Sequence, residues 1–157
     1  MLFISPTDGR LSIAEMLAAI ERFIAVDEAG RYKLIIGTDS QTHHGETLFV
    51  TAVIVHRIGK GARFFFHRQS RPPVQDLRQR VYLETAASLE TVQRMQRDPA
   101  FQRIIDLPIE IHVDIGTTGA TRSMIQEIVG WVTSVGYTVK IKPQSYGASA
   151  VADRYTK

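Results

Sequence analysis

Ile13, Met16, Leu17, Ile20, Phe23 and Ile24 recur at the spacing that places side chains on one face of a helix. Ser12-Ile13-Ala14-Glu15 has the form of a capping box. The pattern predicts an amphipathic helix that precedes the first strand and ends near residues 27–30. Strand-like patterns follow. Residues 32–39 are mostly apolar, 48–56 are rich in β-branched side chains, and 63–67 contain Phe64, Phe65 and Phe66, so three strands are predicted. Residues 41–45 and Ile58-Gly59-Lys60-Gly61 read as turns between them. Arg71-Pro72-Pro73 breaks the pattern. A long helix is predicted over 75–97, with a further helical turn over 100–105. Residues 109–114 predict a fourth strand. Met124, Ile125, Ile128, Val129 and Val132 predict a helix ended by Gly136, and 137–141 predict a fifth strand stopped by Pro143. A short helix is predicted over 147–155.

This order predicts an α/β fold. Its mixed five-stranded sheet has three antiparallel strands, then β-α-β-α, flanked by helices and preceded by an extra N-terminal helix. A chain of 157 residues suits a single domain, 1–157, with 1–30 packed on it as a helical extension. No apolar run reaches the roughly 20 residues that span a bilayer. Met1-Leu2-Phe3-Ile4-Ser5-Pro6 lacks the basic region of a signal peptide. The expectation is a cytoplasmic protein without membrane association. The absence of cysteine excludes disulfides, zinc–thiolate centres and cysteine nucleophiles. Net charge is only +3, but Arg57, Lys60, Arg63, Arg68, Arg71, Arg78 and Arg80 form one basic cluster, and Lys140, Lys142, Arg154 and Lys157 form another. Such clusters can follow a phosphate backbone or simply be solvated.

Four acids stand out against these elements. Asp39 ends the first predicted strand, where Asp is depleted and costly if buried alone. Asp114 ends the fourth, whose alternation puts Glu110, His112 and Asp114 on one face. Glu84 shares a helical stripe with Leu77, Val81, Ser88, Val92 and Met95. It therefore points inward and needs a metal or an arginine as partner. Asp153 lies near the end of the chain, where it either joins the other acids, pairs with Arg154 or Lys157, or caps a helix. His43 and His44 are adjacent in a turn, so they point apart and do not suit one ion.

Gly37-Thr38-Asp39-Ser40-Gln41, Glu84-Thr85, His112-Val113-Asp114-Ile115-Gly116, Lys140-Ile141-Lys142-Pro143 and the run from Ser149 to Lys157 resemble the bacterial YkuK-type RNase H-like family. The resemblance covers about residues 34–157 and implies the RNase H-like fold. It implies a carboxylate set of Asp39, Glu84, Asp114 and Asp153, with Arg154 and Tyr155 flanking the last acid as a departure from the pattern. Asp114-Ile115-Gly116-Thr117-Thr118-Gly119 also resembles the phosphate loop of sugar kinases and actin-like ATPases. It follows the fourth strand rather than joining the first two, and the chain is short for a two-domain clamp around ATP. A phosphate contact is the expectation there, not an ATPase.

The expected function is hydrolysis of phosphodiester bonds in RNA or DNA by two Mg²⁺ or Mn²⁺ ions held by Asp39, Glu84, Asp114 and Asp153. Ser40, Gln41, Thr117, Lys140, Lys142 and Arg154 are the expected substrate contacts. The alternative is a nucleic-acid-binding module that keeps the fold without turnover. A third reading is an interaction protein.

Overall fold

The structure is a computed structural model that describes residues 1–145 and 151–156. It begins with a hairpin, β1 (Leu2–Ser5) and β2 (Gly9–Ser12). The turn is built locally, because Ser5 Oγ accepts the backbone N–H groups of Thr7 and Asp8, and Gly9 takes a positive φ of 74°. Helix α1 (Ile13–Ala25) starts with the expected capping box between Ser12 and Glu15. Three long strands follow, β3 (Tyr32–His43), β4 (Glu46–Arg57) and β5 (Gly61–Arg71). His44 and Gly45 both have positive φ, which fits the tight turn joining β3 to β4.

Helix α2 (Leu77–Arg97) is capped by Asp76, whose side chain accepts the Gln79 N–H. A 3-10 turn (Pro99–Ile104) leads to β6 (Ile109–His112). Then come α3 (Ile125–Ser134) and β7 (Thr138–Lys140). Residues 151–154 are helical, while of the rest of the helix expected over 147–155, residue 155 is turn and 147–150 lie outside the described residues.

The sheet has seven strands in the order β2-β1-β5-β4-β3-β6-β7. The expected five strands are all present, and the N-terminal hairpin adds the other two. The extension before residue 30 is thus a hairpin plus a helix rather than a helix alone. Pairing is antiparallel from β2 through β3, and parallel between β3 and β6 and between β6 and β7.

The two faces of the sheet are covered differently. Leu34, Ile36, Val53, Val55, Phe65 and Ile111 point to one face and form the main core with Met16, Leu17 and Ile20 of α1, Val81, Val92 and Met95 of α2, and Ile128 and Val132 of α3. Strand alternation sends Ile35, Ala52, Ile54 and Phe66 to the other face. There Ala152, fully buried, packs with Val50, Ala52 and Phe66, and Tyr155 stacks on Phe66 with ring centroids 3.8 Å apart.

A notch in the sheet sets up the site. β6 pairs with β3 only as far as Gly37, which lies opposite His112. β3 runs on to His43, bound on its other side to β4. Asp39 and Ser40 therefore lie in a stretch of β3 that has lost its β6 neighbour. A crevice outside the carboxyl end of a parallel strand is where open α/β sheets bind ligands.

Candidate carboxylate site

Alternation along β3 places Ser40 on the face covered by α2 and Asp39 on the face covered by residues 151–156. Each therefore meets a different helical segment. On the α2 side, Thr38 Oγ1 bonds both Thr51 Oγ1 (2.8 Å) and Ser88 Oγ (2.7 Å) in a buried cluster. One turn back along α2, Ser40 Oγ donates to Glu84 Oε2 at 2.5 Å. Arg80, a further turn back, donates Nη2 to the Ser40 carbonyl at 2.6 Å and Nε to Ser40 Oγ at 3.2 Å. Glu84 thus points inward as its stripe requires, with Ser40 as its partner. Leu77, in the same stripe, is exposed at the helix start.

On the opposite side, Asp39 meets Asp153. The two carboxyl groups are close enough to share a hydrogen bond, and Thr156 Oγ1 also reaches Asp39 Oδ2, at 3.5 Å. Asp114 lies just past the end of β6. Its Oδ1 is 3.1 Å from Lys142 Nζ.

Asp39 is pushed up to about 6, first by burial and then by the charges of Asp153 and Asp114, against the backbone hydrogen bond of Ser40. Glu84 is pushed up to about 8, first by burial. The Ser40 hydrogen bond and the Arg80 charge oppose that rise, whereas the Asp39 and Asp114 charges add to it. Glu84 keeps a slim solvent window even though protein atoms crowd it on most sides. Asp39 and Glu84 each feel the charge of Asp114, and Glu84 that of Asp39, although the three come from separate elements.

Carboxylate oxygens are the donors that hard divalent cations prefer. Burial first, and then the repulsion of neighbouring acids, lifts Asp39 and Glu84, and a cation would offset both. In kind, the donors fit Mg²⁺ or Mn²⁺. Among the described residues, however, no set of three or more Asp, Glu or His side chains is arranged to hold a metal ion as it stands. Asp114 is instead paired with Lys142, and Glu84 with Ser40.

The other expected contacts are dispersed. Gln41 Oε1 is bonded to His43 Nε2 at 2.7 Å, and Thr117 is exposed in its loop. Lys140 ends β7, where its carbonyl accepts the Val113 N–H. The Arg154 guanidinium sits 6.0 Å from the Phe64 ring centre. In the glycine-threonine loop, Thr121 Oγ1 accepts the Gly116 N–H at 3.2 Å, and α3 has no side-chain cap. His112 gives one ring nitrogen to Glu110 (Nε2 to Oε1, 2.9 Å), and burial holds its pKa below the usual histidine value. The Ser145 backbone is near enough to favour its charged form, yet no hydrogen bond of ordinary geometry reaches Nδ1. Arg80 and Thr156 were not among the expected site residues. Arg80 was detectable, because it stands one helical turn before Glu84. Thr156 carried no local signal.

The fold points to the class. The ribonuclease H-like family model matches residues 15–157, and the chain belongs to that family. It is also similar to the uncharacterised protein YkuK of Bacillus subtilis (strain 168), with 37% identity across 99% of this chain and 97% of that protein. Among the described residues, no helix is long and apolar enough to cross a membrane.

Proposed function

We propose that the protein is a metal-dependent nuclease that hydrolyses phosphodiester bonds in RNA or DNA. The observation that carries this reading is the electrostatic coupling of Asp39, Glu84, Asp114 and Asp153 at the notch beside β3. Structural ion pairs normally match each acid with a base. Here burial raises Asp39 and Glu84 and neighbouring acids add to the rise, although Lys142 pairs with Asp114 and the Arg80 charge opposes the rise of Glu84, and carboxyl groups so raised recur where chemistry is done. These residues would hold Mg²⁺ or Mn²⁺, and cations bound there supply an activated water and neutralise the leaving oxygen.

The chain's own groups do the rest. Arg80 and Ser40 fix the Glu84 carboxylate. Thr156 and Asp153 set the side of Asp39. Lys142, now paired with Asp114, would be free to meet a phosphate oxygen of the substrate if Asp114 held a cation. Arg154 and Lys140 meet the flanking backbone.

A second reading has an observation of its own. The Lys142–Asp114 ion pair, which already gives one of the acids a base as partner, suits a binding module that never turns over. One assay separates the two: cleavage of single-stranded, double-stranded and hybrid substrates with Mn²⁺ or Mg²⁺, run beside Asp39→Asn. Metal-dependent cleavage lost in the variant supports the nuclease. Salt-sensitive binding without cleavage, unchanged by the variant, supports the module.

A further inference from the structure

The sheet face that carries Asp39 also holds a cavity of about 390 Å³. Its apolar side is made by Ile35, Ile54 and Phe64, and its rim by Ala62 and Gln144. His112, Lys33 and His56 form the polar wall. That wall is braced, because Glu110 spends one oxygen on Lys33 (3.3 Å) and the other on His112 (2.9 Å). His112 is 5% exposed, and although the Ser145 backbone lies near it, no hydrogen bond of ordinary geometry reaches its Nδ1. A buried polar atom whose partner is poorly aligned leaves room for a ligand or water to complete it. Gly37, next to His112 in the β3–β6 ladder, contributes no side chain to the space between them.

We propose that this cavity is a subsite for one nucleobase of the strand whose phosphodiester lies at the carboxylates. The inference rests on the nuclease reading for its choice of strand. A base has two apolar faces and a polar edge, and the cavity has an apolar side with an aromatic ring and a braced polar wall. The placement fits as well. Ile35 and Asp39 share a face four residues apart, roughly 13 Å along the strand, so the cavity lies within reach of a neighbouring nucleotide. Arg154 stands over Phe64, a wall of the cavity, at 6.0 Å and follows Asp153 directly in the chain, so it can meet a phosphate of the same strand.

The test is a chemical-shift titration of the full chain with AMP, CMP, GMP and UMP, with ribose 5-phosphate as the base-free control. The expected result is saturable shifts at the amides of Ile35, Ala62 and Phe64 with at least one nucleotide and none with ribose 5-phosphate. Ala62 is exposed at the rim, so Ala62→Trp can fill the cavity without disturbing the core. It should weaken that nucleotide at least about tenfold. Gln144→Ala, at the polar edge, should weaken it several-fold. Equal shifts from ribose 5-phosphate, an unaffected Ala62→Trp, or no shifts at these amides would each overturn the subsite. Mn²⁺ broadening near Asp39 and Asp114, read on the same samples, reports separately on the nuclease. Broadening without nucleotide shifts sinks the subsite alone. Nucleotide shifts without broadening support the subsite and count against the nuclease.

Discussion

At the scale of single residues, the site is under electrostatic tension that pH and metal should both reveal. Glu84 rises from an ordinary 4.5 to about 8, and Asp39 from 3.8 to about 6. The folded chain therefore keeps protons that the unfolded chain has already released. The stability these groups contribute is complete below pH about 4, and is lost as pH climbs through about 6 and about 8. In metal-free buffer, urea stability should fall between pH 5 and pH 9, with ordinary surface groups contributing little. Glu84→Gln keeps an acceptor for Ser40 but carries no charge. It should raise stability at pH 9 by roughly 1–3 kcal/mol and flatten the profile. A profile as steep in the variant as in the parent would rule out Glu84 as its source. Lys142 gives a second handle. Lys142→Met frees Asp114, so Mn²⁺ affinity by calorimetry should tighten several-fold, while affinity for an oligonucleotide should weaken. Movement of both affinities in one direction would contradict the exchange of Lys142 between Asp114 and phosphate.

At the scale of elements, legibility followed the strength of the local pattern. The apolar runs of β4 and β5 and the turns between them are readable because β-branched and aromatic residues crowd into them. Their ends are not. Ser40, Gln41, Thr42 and His43 look like loop, yet full pairing with β4 keeps them in strand, so Asp39 lies inside β3 rather than at its end. The hairpin β1–β2 escaped notice because four-residue strands carry little periodicity, although Asp8-Gly9 is a turn signal. For the site, an inward carboxylate in a helical stripe marked Glu84. The partners of these acids were not readable, since Ser40–Glu84 and Lys142–Asp114 depend on the docking of distant elements. That docking can be probed through the Thr38–Thr51–Ser88 cluster, which ties α2 to the sheet one turn from Glu84. Ser88→Ala leaves Thr38 and Thr51 bonded to each other, so it should cost about 1 kcal/mol in urea unfolding. A loss several times larger would mean that Ser88 organises the helix more widely than one hydrogen bond implies.

At the scale of the whole molecule, stability and the site are carried by different layers. The main core joins α1, α2 and α3 to one face of the sheet. Asp153 and Thr156 instead reach the site from the other face, on a short segment seated by Ala152 and Tyr155 over Val50, Ala52 and Phe66. The smaller core can therefore fail without the larger one. Ala152 is fully buried, and arginine there would lift the segment off the sheet and carry Asp153 away from Asp39. Ala152→Arg should then lose metal-dependent cleavage by about a hundredfold or more. Hydrogen exchange at the amides of β3 and β4 should stay slow, because the main core that protects them is untouched. Retained cleavage in Ala152→Arg would show that Asp39, Glu84 and Asp114 suffice and that the terminal segment only shields them. Loss of protection throughout the sheet would show instead that the two layers fold as one unit, and that the smaller core is part of the protein's stability as well as its site.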